Sequence, residues 1–276
     1  MKLAVSVVTP EVKCEAKLAL LSGTFEERLV KAKQYGYDGI ELVMSIPASL
    51  NLKAIGELLN KNGLKPAAIS TGCIASTQEI TLISADANKR ADAIKLLKEL
   101  IYAAAYLKAG IVTIGSFKGK ADAVGNTQLA EEMLAEALQQ IDSVALDNGI
   151  SIVLEPMNRR ESDILRTSED VARYIESLGI RSVKMLLDTY HVYMNGEDIS
   201  QIAQLFNNII AHVHLADSER LPVGMGKVDF GSIECELSKI NYCGWQSVEL
   251  SREGTPDQNA KITLDNIKKI INSIGR

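Results

Sequence analysis

Residues 151–170 read SIVLEPMNRRESDILRTSED. The run over residues 150–155 is apolar without helical spacing and stops on a carboxylate, Glu155. A short, β-branched apolar run of this kind is a strand buried on both faces. Thr167-Ser168-Glu169-Asp170 then opens a helix, with a hydroxyl at the cap and acids in the first turn. One strand followed by one helix is the unit, and the rest of the chain repeats it. Upstream strands are expected at residues 3–8, 39–43, 66–70 and 110–115. Downstream strands are expected at 183–188, 211–215 and 246–250. Helical spacing fills the intervals. Thr24 and Glu27 form a capping-box pattern for a helix to about Tyr35, and further helices fall at 50–62, 88–107, 129–147, 199–206, 232–240 and 257–274. Gly36, Gly63, Gly110, Gly149 and Gly179 stand where helices end.

Eight β-then-α units in 276 residues predict one (β/α)8 barrel over residues 1–276. The alternative is an open, doubly wound α/β sheet, but no GxGxxG or phosphate-loop pattern follows any strand. Segments 71–86 and 116–126 are longer than a βα turn needs. In a barrel both lie at the carboxyl end, where binding loops belong.

The net charge is -5, so the chain as a whole has no attraction for nucleic acid or an anionic membrane. No apolar run reaches the length of a membrane span. The amino-terminal apolar stretch is cut by Pro10, Glu11 and Lys13 and reads as a first strand rather than a signal peptide. Cys14, Cys73, Cys235 and Cys243 form no CxxC pair. They suggest reduced thiols in a cytoplasmic protein, with Cys73 inert.

The later strands share one feature, a polar end. Strand 5 ends on Glu155, strand 6 on Asp188 and strand 8 includes Glu249; strand 7 carries His212 and His214. Taken singly, a strand-end acid is a helix cap or an ion-pair partner. On consecutive strands of a barrel, however, three carboxylates and an imidazole converge on one part of the rim. They would repel one another unless a divalent cation satisfied them. Oxygen-rich ligation with one histidine favours manganese, magnesium, cobalt or iron(II) over a structural zinc site. His212 shares the face of His214 but lies deeper, and reads as a hydrogen-bonded core histidine rather than a ligand. His191, on the loop after strand 6, faces substrate or ligates weakly. Lys118 and Lys120 read as lysines of a solvated loop rather than a phosphate clamp.

The stretches 154–161 (LEPMNRRE), 186–191 (LLDTYH), 212–222 (HVHLADSERLP), 224–230 (GMGKVDF) and 244–249 (GWQSVE) resemble the xylose isomerase-like TIM-barrel superfamily. Within it they are most similar to the ketose 3-epimerases of the D-tagatose and D-psicose type and related keto-sugar-acid epimerases. The resemblance implies one divalent metal ion, manganese first, on Glu155, Asp188, His214 and Glu249. It implies substrate contacts at Glu161, His191 and Arg220, and Glu155 and Glu249 as the two proton-transfer groups of a metal-stabilised enediolate route. It also implies a small-molecule sugar substrate and a homodimer or homotetramer.

Three rivals share the fold. An aldose–ketose or hydroxypyruvate-type isomerase, or an inosose-processing enzyme, would use the same metal site; Glu161 with Arg220 favours the epimerase. A DNA-repair nuclease resembling endonuclease IV needs a metal cluster with histidines from early strands, whereas His191, His212 and His214 all follow strand 6. A metal-free binding protein would have no use for the complete ligand set.

Overall fold

A computed structural model describes residues 1–13, 17–252 and 254–275. Cys14 lies outside the described residues. Eight parallel strands close a barrel in sequence order. They are β1 (Lys2–Val8), β2 (Gly39–Val43), β3 (Lys65–Ser70), β4 (Ile111–Ile114), β5 (Ser151–Leu154), β6 (Val183–Asp188), β7 (Ile210–Leu215) and β8 (Trp245–Val248). Pairing of β1 with β8 completes the ring. All eight expected strands are present, with no end moved by more than two residues and β2 and β6 unmoved.

The helices form the outer layer. They are α1 (Phe25–Tyr35), α2 (Leu52–Lys61), α3 (Ile74–Gln78), α4 (Ala87–Leu107), α5 (Thr127–Asp147), α6 (Ser168–Leu178), α7 (Thr189–Asn195), α8 (Ile199–Phe206), α9 (Phe230–Lys239) and α10 (Pro256–Ser273). The expected capping box of Thr24 with Glu27 forms, and the helix opening at Thr167 also closes a box, with Asp170. The long interval after β3 holds α3, which its sequence did not announce. One main apolar cluster joins the strands to the helices, including Val5, Leu42, Ile69, Ile114, Leu154, Leu187, Val213 and Val248. Among the described residues no helix is long and apolar enough to cross a membrane.

Two register shifts interrupt the ladder. Between β2 and β3 the pairing passes from Ile40↔Pro66 to Glu41↔Ala68, so Ala67 is an extra residue. Pro66 has no N–H to give to the ladder, which accounts for a bulge there. Between β6 and β7 the pairing passes from Met185↔Ile210 to Leu186↔His212, so Ala211 is extra. Glu41 and His212 thus each follow a bulge, and both are wholly buried.

Candidate metal centre

Four groups meet at the carboxyl end of the barrel. Asp188 ends β6 and His214 lies on β7, while Glu155 and Glu249 each stand one residue beyond β5 and β8. One ligand atom from each lies within 4.8 Å of every other. All four side chains are buried. His214 Nδ1 is 3.3 Å from Glu249 Oε2 and 3.7 Å from Glu155 Oε1.

The donor set fits a cation. Glu155 Oε1 and His214 Nδ1 are buried without a hydrogen-bond partner, and both face this cluster. Leaving such atoms unsatisfied is costly unless something of opposite charge accepts their lone pairs. Three carboxylates and one imidazole are also the mixture that suits a hard or borderline divalent ion.

Two of the four groups, His214 and Asp188, are held from behind. Glu41 Oε1 accepts a bond from His214 Nε2 at 3.0 Å, which leaves Nδ1 to face the cluster. The other oxygen of Glu41 accepts from His212 Nε2 at 2.7 Å. His212 is therefore a hydrogen-bonded core histidine, as expected. Its bond to Glu41 gives it a purpose, since it fixes the carboxylate that fixes His214. Burial raises the Glu41 carboxyl, but the two imidazoles outweigh it and hold it well below the usual carboxylate range. Glu41, His212 and His214 also form a compact group of potential ligands, but their facing atoms are already bonded to one another. Sequence reasoning passed over Glu41. Its signal was a carboxylate in the middle of an apolar strand, Gly39-Ile40-Glu41-Leu42-Val43.

Asp188 serves two purposes. Its Oδ1 accepts the backbone N–H of Tyr190 at 2.8 Å and caps α7, while Oδ2 faces the cluster. The cap makes a helix of the segment expected to be a loop, so His191 lies in the first turn of α7. His191 Nδ1 receives both the backbone N–H of Asn158, at 3.3 Å, and its amide nitrogen, at 2.8 Å. The Asn158 amide is oriented by its oxygen, which accepts from Arg160 N–H at 2.9 Å. The other ring nitrogen of His191, Nε2, lies 3.1 Å from Arg220 Nη2, a group that can only donate, so donors face both nitrogens of the ring. Nε2 also points at the cluster, 3.8 Å from Glu155 Oε1 and 3.9 Å from Asp188 Oδ2.

Arg220 closes the front. Its Nη1 lies 3.3 Å from both Asp188 Oδ2 and Glu249 Oε2, and its Nη2 lies 3.6 Å from Glu161 Oε2. Its guanidinium also stacks 4.6 Å over the Tyr190 ring. The resemblance implied a substrate contact at Arg220, and the structure also bonds it to two of the four converging groups, Asp188 and Glu249. The turn that delivers it is strained, with Glu219 at φ 57 and Arg220 at φ 53. Asp217 stabilises that turn by accepting four backbone N–H groups, from Ser218, Gly224, Gly226 and Val228. A Cβ at Gly226 would collide with Asp217 Oδ1 and Ser218 Oγ, so glycine is required there. Glu161 is only half-buried and bonds the Asn158 amide at 3.2 Å. A cavity of about 480 Å³ opens over Glu249, Arg220 and Glu161 toward Val43, Ser70 and Cys73.

One expectation is overturned. Lys118 is not on a solvated loop: it is 1% exposed, its turn packed under the end of β4, while Lys120 is exposed. Burial pushes its ammonium down to about 8, with Glu155 pulling the other way. The turn is drawn inward by Phe117, wholly buried, and by backbone bonds from Leu82 and Ile83 to the Phe117 and Lys118 carbonyls.

Comparison with known proteins agrees with the geometry. A family model described as xylose isomerase-like TIM barrel matches residues 29–270. L-ribulose 3-epimerase of Methylomonas sp. (strain DH-1) is 26% identical over 216 residues, 77% of this chain and 73% of that protein. 3-Dehydro-D-guloside 4-epimerase of Escherichia coli (strain K12) is 30% identical over 114 residues, 41% of this chain and 44% of that protein. The structure of D-psicose 3-epimerase with D-tagatose from Clostridium cellulolyticum H10 superposes with a TM-score of 0.83 at 18% identity, covering 98% of this chain and 99% of that one. At that identity the likeness shows the fold alone.

Proposed function

The chain belongs to the xylose isomerase-like TIM-barrel family, and from that premise we propose that it is a divalent-metal-dependent sugar epimerase, a carbohydrate isomerase acting on ketoses or keto-sugar acids. The observation that carries this is the convergence of Glu155, Asp188, His214 and Glu249, with Glu155 Oε1 and His214 Nδ1 left without bonds of their own. Relatives that are ketose 3-epimerases and a keto-glycoside 4-epimerase support the same class.

A divalent ion on those four groups, manganese before magnesium, cobalt or iron, supplies Lewis acidity that polarises a substrate carbonyl and its neighbouring hydroxyl. The chain's own residues do the rest. Glu155 and Glu249 stand just beyond β5 and β8, separated around the rim by β6 and β7, and approach a substrate in the mouth from different sides. One takes the proton from the hydroxyl-bearing carbon beside the carbonyl, which leaves an enediolate. The other returns a proton to the opposite face and inverts that carbon. His191 holds a substrate oxygen near the carbonyl, beside Arg220, whose Nη2 lies 3.1 Å from His191 Nε2. Arg220 grips substrate oxygens from the strained turn, and Glu161 lies beside it at the mouth. Residues 1–276 act as one barrel domain, cytoplasmic and assembled as a homodimer or homotetramer.

The experiment is a screen of free and phosphorylated ketoses, keto-sugar acids and keto-glycosides with added manganese, followed by NMR, together with elemental analysis. About one ion per chain and inversion at a single carbon are expected. Two or three ions per site would revive a nuclease of the endonuclease IV kind. Conversion of ketose to aldose without inversion would make the protein an isomerase.

A further inference from the structure

Lys118 is one of the largest side chains buried below 2% exposure, and it carries a charge. Its Nζ makes only two bonds among the described residues, both to backbone oxygens: Gly115 O at 3.3 Å and Glu155 O at 3.3 Å. A buried ammonium ordinarily takes a carboxylate partner, because its desolvation is expensive. Here it is spent on two peptide carbonyls, one of which belongs to a residue of the metal centre.

The end of β4 holds Glu155 in three ways. The Glu155 N–H donates to Ile114 O at 3.0 Å, in continuation of the β4–β5 ladder. Its carbonyl accepts from Lys118. Its carboxylate passes over Gly115, where a Cβ would collide with Oε2. Pro156 follows, which keeps Glu155 in the extended region. Backbone N–H, backbone C=O and side chain are thus all set by residues 114–118. The turn bearing Lys118 is itself fixed, since Gly119, at φ 95, packs so closely on Ile83 that a Cβ would lie 2.7 Å from the Ile83 oxygen.

We propose that Lys118 is a positioning residue for Glu155, a charged clamp on its peptide that aims the carboxylate into the metal centre. This rests on the epimerase reading only for the identity of the reaction; the clamp itself is tested on metal binding without substrate. Partners that orient a ligand from behind are generally worth 10- to 100-fold in affinity or activity, and this one would act through the main chain rather than the carboxylate.

The test is manganese titration by electron paramagnetic resonance on the folded chain and its variants. Lys118→Met is expected to weaken manganese binding about tenfold and to lower kcat by about 10- to 100-fold with KM little changed. The exposed Lys120→Met serves as the control and should match wild type. The discriminating measurement is the double variant. If Lys118 acts through Glu155, then in a Glu155→Gln background Lys118→Met costs no more than about twofold further in manganese affinity, because coupled residues are not additive. An equal loss in both backgrounds would mean that Lys118 only stabilises the fold, and would overturn the proposal. Should Lys118→Met fail to fold, Lys118→Arg keeps a cationic donor. It is expected to bind manganese within about threefold of wild type, and a folded arginine variant as weak as a tenfold loss overturns the clamp. A wild-type chain that binds no manganese would overturn the clamp together with the metal centre, whereas normal wild-type binding with an unaffected Lys118→Met overturns the clamp alone.

Discussion

Glu41 Oε1 and His214 Nε2 lie 3.0 Å apart between side chains that are almost wholly buried, and this bond decides which imidazole nitrogen faces the metal centre. Glu41 stands on β2, three strands from β7 around the closed ring by way of β1 and β8. Its register partners Ser6 and Ala68 are small, which leaves room for a carboxylate to cross the interior.

Glu41→Gln should therefore reach the metal without touching it. The amide keeps the volume but no longer supplies a carboxylate to either imidazole. Manganese affinity is expected to fall about 10- to 100-fold, with the barrel still folded by circular dichroism. Unchanged affinity would mean that the His214 ring is oriented by packing alone.

A divalent ion on the proposed site should compete with a proton for His214. Burial pushes its imidazolium down, but the carboxylates of Glu41 and Glu249 outweigh that and hold it well above the ordinary histidine value. Those carboxylates favour a proton on the ring, and a divalent ion held at Nδ1 would have to displace it. Binding is expected to weaken as pH falls and to release about one proton near pH 7. Calorimetry in two buffers of different protonation enthalpy counts that proton, and a count of zero would contradict the displacement.

Proton transfer and substrate binding should separate by mutation. Glu249→Gln is expected to keep much of the metal affinity and to lose about 10² to 10⁴ in turnover. Arg220→Ala should act mainly on KM, since it removes binding common to ground and transition states. In heavy water the inverted carbon of the product should carry solvent deuterium, because two separate carboxylates exchange with solvent. Product formed without any deuterium would point to a shielded single base or a hydride shift.

A separate contact closes the barrel's first and last helical units. Asp257 accepts from Ser22 N–H at 2.6 Å, Ser22 Oγ at 2.7 Å and Lys31 Nζ at 2.6 Å. Partial burial raises its carboxyl, but the Lys31 and Ser22 bonds outweigh this and hold it below the ordinary aspartate value. The unfolded chain thus takes up this proton first as pH falls. The contribution is fully present above the unfolded value and is lost as pH drops through the lower folded one. Asp257→Asn is expected to cost about 1 to 3 kcal/mol at neutral pH, with a smaller cost in acid, measured by urea unfolding.

The barrel and the four converging groups follow from residue order alone. Eight apolar runs without helical spacing, alternating with capped helical segments, leave few folds, and strands 5 to 8 of such a barrel are neighbours by necessity. Acids at the ends of β5, β6 and β8 therefore could be placed together from order alone. Pairing across the barrel was a different matter. Glu41 meets His214 from 173 residues away because both β2 and β7 face the one closed interior, and no local pattern records which side chains meet there. Lys118 was legible as a loop lysine, since nothing in Ser116-Phe117-Lys118-Gly119 says that the turn folds inward. Only the packing of Phe117 and the bonds to Leu82 and Ile83 drive the ammonium under β4, to the carbonyl of Glu155. Local sequence sets period and caps, which are properties of neighbours along the chain. Burial and orientation of a polar side chain depend on what the closed barrel places beside it.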